Sequence, residues 1–151
     1  MVIPAGADQR VLYALRRAYQ AAEAAKEERL QPIGVSSAHY AVLINVNKRP
    51  GLTAADLARA LGVTPQNVTG LLDRLTTRGL VERRRHDRHP NVIEVHLTPE
   101  GTDKLRAADA VVSDLEVALV SNLGDSAAAH LRSALDRFLD PEAFSTHTLD
   151  A

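Results

Sequence analysis

The residues of this chain best suited to chemistry are polar side chains at helical spacing, followed by a cluster of arginines. Thr64-Pro65-Gln66-Asn67-Val68-Thr69-Gly70 leads through Asp73-Arg74 to Arg83-Arg84-Arg85-His86-Asp87-Arg88-His89. Gln66 and Asn67 carry amides, which bond adenine in two places on its major-groove edge. Between Arg74 and His89 there are six arginines and only two acids. A narrow minor groove concentrates negative potential and attracts arginine, so Arg85 and Arg88 are the side chains of that run expected to meet DNA. The bland alternative is a solvated strand whose arginines pair with Glu82, Asp87 or Glu94. On a strand Arg83 and Arg85 share one face and Arg84 takes the other, so the three cannot all face one partner.

To present these side chains, residues 53–97 must fold as two short helices and a hairpin. Leu57, Ala58 and Leu61 fall at helical spacing, and Gly62 turns without a steric penalty. Thr53 with Asp56 three residues on is close to a capping box. Thr64 caps the second helix, with Pro65 at its first position, where a missing N–H costs nothing. Val68, Leu71, Leu72 and Leu75 make one apolar stripe, so Gln66, Thr69, Gly70, Asp73 and Thr77 point away from it, flanked by Asn67 and Arg74. An outward polar face on the second helix of a helix-turn-helix is what reading base edges requires. Asp73 on that face would repel phosphates alone and is expected to pair with an arginine. Gly79 ends the helix, Leu80 and Val81 begin a strand, Pro90-Asn91 forms the hairpin tip, and Val92 to Leu97 returns.

The flanking segments read as helices. Asp8 is a candidate cap for a first helix with Val11, Leu12, Leu15, Ala18, Tyr19 and Ala22 on one side. The Gln31-Pro32-Ile33-Gly34 break ends it. Ser36 or Ser37 opens a second helix with Tyr40, Leu43, Ile44 and Val46 inward. Thr98-Pro99-Glu100 repeats the cap-then-proline start, opening a long helix to about Asn122 with Leu105, Ala108, Val112, Leu115 and Leu119 on one side. Gly124-Asp125 interrupts it. A last helix carries Ala128, Leu131, Leu135 and Phe138, and Pro141 stops it. These terminal helices have more apolar surface than a small winged-helix core needs, which implies burial against a second copy and two recognition helices about one DNA turn apart.

Charge is distributed unevenly about a net of −1. Residues 98–151 hold four Lys/Arg against ten Asp/Glu, whereas residues 53–97 hold seven against five. One basic surface offset by an acidic one fits a protein that faces phosphates on one side only. Aromatic content of 3% is too low for the stacking platforms that grip single strands. No apolar run reaches the roughly 20 residues that cross a bilayer, so a soluble cytoplasmic protein without membrane attachment is expected. With no cysteine, disulfides, thiolate metal sites and thiol switches are excluded. His86-Asp87-Arg88-His89 with His96 invites a metal, but the neighbouring arginines oppose a cation, and no metal or cofactor is expected. No Gly-rich phosphate loop, His-Glu-x-x-His helix or nucleophile elbow is present, so no enzyme is read here.

LTAADLARALGV, TPQNVTGLLDRLTTRGLVERR and LTPEG, in that order, give the chain a resemblance to the MarR (multiple antibiotic resistance regulator) family of winged-helix transcription regulators. The resemblance covers essentially the whole chain as one domain. It implies an α+β, mainly helical winged helix-turn-helix over about 53–97. Helices at about 8–30 and 99–140 would form the dimerisation lobe. It further implies a homodimer on a palindromic double-stranded operator, usually repressing until a small molecule, commonly aromatic, releases it. By position, Thr64, Pro65, Gln66, Thr69 and Gly70 would face the major groove, Arg74 a phosphate or base, and the hairpin the minor groove. The chain departs from the family at two places. His89-Pro90-Asn91 stands where the wing commonly has an Asp-Arg-Arg run, with Asp87-Arg88 two residues earlier, and Gly70 stands where many members carry a basic or larger residue. No motif fixes effector-binding residues. A winged-helix protein-interaction module and a metal-gated regulator remain as alternatives.

Overall fold

A side-chain hydroxyl opens four of the six α-helices in a computed structural model of the chain, which describes Gly6 and residues 9–144. The exception at the start is α1 (Val11–Leu30), preceded by Arg10 with no side-chain cap. Asp8, the expected cap, lies outside the described residues. A 3₁₀ turn, Gln31–Ile33, and Gly34 at φ 71° end α1 as expected. Ser36 then caps α2 (Ser37–Lys48) by accepting from the His39 N–H at 3.0 Å. Two α1 carboxylates sit at the positive end of α2: Glu27 accepts from the Ser37 N–H at 2.7 Å and Glu23 from the Ser37 hydroxyl at 2.6 Å. The inward face of α2 is Val42, Leu43 and Val46, with Tyr40 and Ile44 half-buried. Val42 escapes a one-stripe reading because α2 is flanked by α1, α3, α4 and the hairpin at once.

The next two helices follow the expected pattern. In α3 (Ala54–Leu61) the capping box is complete, Thr53 and Asp56 exchanging hydrogen bonds. These bonds from Thr53 hold the Asp56 carboxyl below the usual carboxylate range. Gly62, at φ 64°, ends α3, and Thr64 opens α4 (Pro65–Thr77). Val68, Leu72 and Leu75 of α4 are buried against Leu43, Val46 and Leu57, with Leu71 half-buried. At the end of α4 the Gly79 N–H reaches the Thr76 carbonyl at 2.9 Å and the Leu80 N–H reaches that of Leu75 at 2.9 Å, the paired bonds of a Schellman cap.

Strand β1 (Val81–Arg85) runs antiparallel to β2 (Ile93–Leu97), pairing Val81 with Leu97 and Arg85 with Ile93. Leu52 makes an isolated bridge to Val95 on the other side of β2, and both side chains are buried. Val92, expected in the return strand, lies in the turn before it.

Helix α5 (Pro99–Leu123) is tied directly to the end of α4. The Thr98 N–H donates to the Leu80 carbonyl at 3.2 Å. The Thr98 hydroxyl donates to the Gly79 carbonyl at 2.6 Å and accepts from the Gly101 N–H at 2.9 Å. Gly101 lies so close to the chain that a Cβ there would fall 1.8 Å from the Leu80 carbonyl oxygen. These contacts give the Leu-Thr-Pro-Glu-Gly run its physical meaning. Further along, burial holds the Tyr40 hydroxyl, which donates to Asp109 at 2.9 Å, at a pKa of about 12.

Two compact units divide the chain, residues 1–113 and residues 114–151. In the first, the apolar face of α1 is uncovered, with Val11 and Tyr19 61% and 68% exposed. In the second, Gly124 at φ 83° separates the end of α5 from α6 (Asp125–Asp136). Helix α6 stops earlier than Pro141, in a 3₁₀ turn at Arg137–Leu139. Asp140 is extended, because a residue before proline is pushed out of the helical region. Val117, Leu119, Leu131 and Leu135 of this unit are exposed. Among the described residues no helix is long and apolar enough to cross a membrane.

Candidate nucleic-acid interface

The cap that starts α4 also sets its outward face. The Thr64 hydroxyl accepts from the Asn67 N–H at 3.2 Å, so Pro65, Gln66 and Asn67 form the exposed first turn. Thr69 is exposed one turn later, its hydroxyl donating to the Pro65 carbonyl at 3.0 Å and keeping its lone pairs outward. Gly70 completes the face with nothing within 4 Å of where a Cβ would stand. That open position leads to a prediction. A glycine inside a helix costs roughly 0.5–1 kcal/mol relative to alanine, so Gly70→Ala should stabilise the fold by that amount. Thermal melting should show a midpoint about 1–4 °C higher.

The arginines divide by partner. Arg83 of β1 meets Asp73 of α4 at 2.7 Å, which ties the hairpin to the recognition helix and answers the question of what neutralises Asp73. Arg84 pairs with Glu82. Arg78 donates to the Gly34 carbonyl at 2.6 Å, a contact that sequence reasoning missed because its acceptor is backbone 44 residues away. Among the described residues Arg74, Arg85 and Arg88 have no carboxylate within 4 Å. Exposed ion pairs hold their partners with only about 0–1 kcal/mol, so what distinguishes these three is availability.

The hairpin tip consists of two consecutive turns. The His89 N–H reaches the His86 carbonyl at 3.3 Å, enclosing Asp87-Arg88, and the Val92 N–H reaches that of His89 at 2.8 Å, enclosing Pro90-Asn91. Pro90-Asn91 is therefore a tip as expected, but Arg88 rides on a turn of its own before it. Glu94 is held by histidines: His96 at 2.8 Å and His86 at 3.7 Å. A cavity of about 330 Å³ here is lined by Arg84, Arg85, His86, Asp87, Arg88, Glu94 and His96. Among the described residues no group of three or more His, Cys, Asp or Glu is placed to hold a metal ion.

The family model described as MarR family matches residues 33–89. The chain is 33% identical over 104 residues to the HTH-type transcriptional regulator PetP of Rhodobacter capsulatus, covering 69% of this chain and 63% of that protein. It is 30% identical over 94 residues to the HTH-type transcriptional repressor Rv2887 of Mycobacterium tuberculosis, covering 62% of this chain and 68% of that protein. The fold matches the transcriptional repressor CouR bound to a 23-mer DNA duplex, with TM-score 0.84, 26% identity, and coverage of 93% of this chain and 99% of that one. CouR bound to p-coumaroyl-CoA matches with TM-score 0.81 and 27% identity over the same shares of both chains.

Proposed function

This chain belongs to the MarR family, and from that premise we propose that it is a DNA-binding transcription regulator, acting in the cytoplasm as a homodimeric repressor. One observation carries the reading. Helix α4, whose first turns are exposed and hydrogen-bonding, is tied through Asp73 and Arg83 to a hairpin whose Arg85 and Arg88 have no carboxylate partner among the described residues. Thr64, Pro65, Gln66, Asn67, Thr69 and Gly70 enter the major groove, with the two amides reading base edges. Arg74 flanks that face and meets a phosphate or base. Arg85 and Arg88 reach the minor groove from the hairpin. The uncovered apolar faces of α1 and of the 114–151 unit fit pairing with a second copy, which presents two recognition helices to a palindromic operator. CouR has been solved with a duplex and with an aromatic thioester, which supports release by a small aromatic effector here. No catalytic role is assigned.

Selection of bound duplexes from a random pool tests the proposal, since it returns the operator and its symmetry together. A winged-helix module that binds an acidic protein would retain no symmetric sequence. Salt dependence then tests the hairpin. For a phosphate contact, Arg88→Ala should lower the slope of log K against log salt by about one unit. An unchanged slope removes Arg88 from the interface.

A further inference from the structure

His39 stands in the first turn of α2, a helix that packs against both α1 and α4. Its main-chain N–H is held by Ser36 at 3.0 Å. Both of its ring nitrogens are buried and neither has a hydrogen-bond partner. The charges that act on the ring are Glu27 of α1, Arg74 of α4 and Arg78, the residue that caps α4. None of the three is positioned to welcome a proton there. Glu27 already accepts the Ser37 N–H at 2.7 Å, and Arg78 is fixed by its 2.6 Å bond to the Gly34 carbonyl, in the loop that leads into α2. A charged imidazolium would therefore be a third cation beside two arginines, with its N–H groups turned toward protein that offers no acceptor.

We propose that His39 is a proton-sensitive positioning residue: its protonation loosens α4 from α2 and so withdraws the recognition face from DNA. The second half rests on the operator-binding function proposed above; the first does not.

The direction of the effect follows from linkage. Burial first, then Arg78 and Arg74, hold the His39 ring below its ordinary value, with Glu27 acting the other way. The seated arrangement thus prefers neutral His39. As pH falls below about 6.5, the loosened arrangement takes up the proton first, and the seated population declines. One proton can shift that balance by at most tenfold per pH unit.

Amide hydrogen exchange along α4, corrected for intrinsic rates, is compared at pH 7.5 and 5.5 in the wild-type chain and in His39→Gln. Duplex binding is measured on the same samples at fixed salt. We expect α4 of the wild type to open about three- to tenfold more often at pH 5.5, with no such change in the variant. The ratio of wild-type to variant Kd should rise at pH 5.5 as the seated fraction of the wild type falls. Equal exchange at both pH values, or the same change in both proteins, overturns the proposal. If duplexes are ignored at both pH values while α4 exchange behaves as expected, the switch stands and the operator reading falls. Should His39→Gln not fold at pH 7.5, titration of the wild-type His39 ring resonance decides. A midpoint below 6.5 that α4 exchange follows supports the switch, and a midpoint at or above 6.5 overturns it.

Discussion

Gly101→Ala is expected to cost the fold about 3 kcal/mol, the upper part of the usual range for overpacking, and to lower the melting midpoint by about 6–12 °C. The added methyl would have to occupy space 1.8 Å from the Leu80 carbonyl oxygen. Main chain cannot step aside as the end of a long side chain can, and this carbonyl also accepts the Thr98 N–H. Leu80 itself is the second residue beyond the α4 cap, its N–H bonded to the Leu75 carbonyl. Displacing it therefore strains the end of the recognition helix and the base of the hairpin together. The same substitution at Gly70 is expected to act in the opposite direction, since nothing lies within 4 Å there. Differential scanning calorimetry of the two variants checks both signs. A Gly101→Ala midpoint within a degree or two of wild type would mean that the junction between hairpin and α5 yields easily and does not fix the hairpin's position.

The pair also shows what was legible before the structure. Helix starts were readable because the signal is local: Ser36, Thr53, Thr64 and Thr98 each bond a donor three residues on. The outward face of α4 was readable for a similar reason, since 3.6-residue periodicity needs only one stripe of Val68, Leu72 and Leu75. The reason for Gly101 was hidden because its clash partner, Leu80, is 21 positions away in the chain and is a main-chain atom with no residue-type signature. Arg78 was missed on the same grounds. Val42 was missed because α2 has neighbours on several sides, which erases a single stripe. Among the arginines, strand alternation could separate Arg84 from Arg83 and Arg85, but only the fold reveals that Asp73 occupies Arg83 and Glu82 occupies Arg84. Arg74, Arg85 and Arg88 remain without a carboxylate within 4 Å among the described residues, and their contact with DNA is the proposal made above.

Leu72→Ala separates two ways of losing DNA binding. Leu72 is 1% exposed and lies on the inner face of the recognition helix, among the side chains that seat it on the core. Truncation there removes buried methyl groups and leaves a cavity, with an expected cost of about 2–5 kcal/mol. Against a total stability of about 5–15 kcal/mol, the loss can leave a measurable fraction of molecules unable to bind at any moment. Apparent affinity then falls in proportion to the competent fraction, while each competent molecule still makes every phosphate contact. Urea titration should therefore give an earlier midpoint for Leu72→Ala. Duplex titrations should give weaker apparent binding with an unchanged dependence on salt. Arg88→Ala should produce the converse, ordinary stability with a shallower salt slope. If Leu72→Ala changed the slope, the inner face of α4 would be setting which phosphates are contacted as well as whether the helix is seated. Support and contact could then not be assigned to opposite faces of one helix.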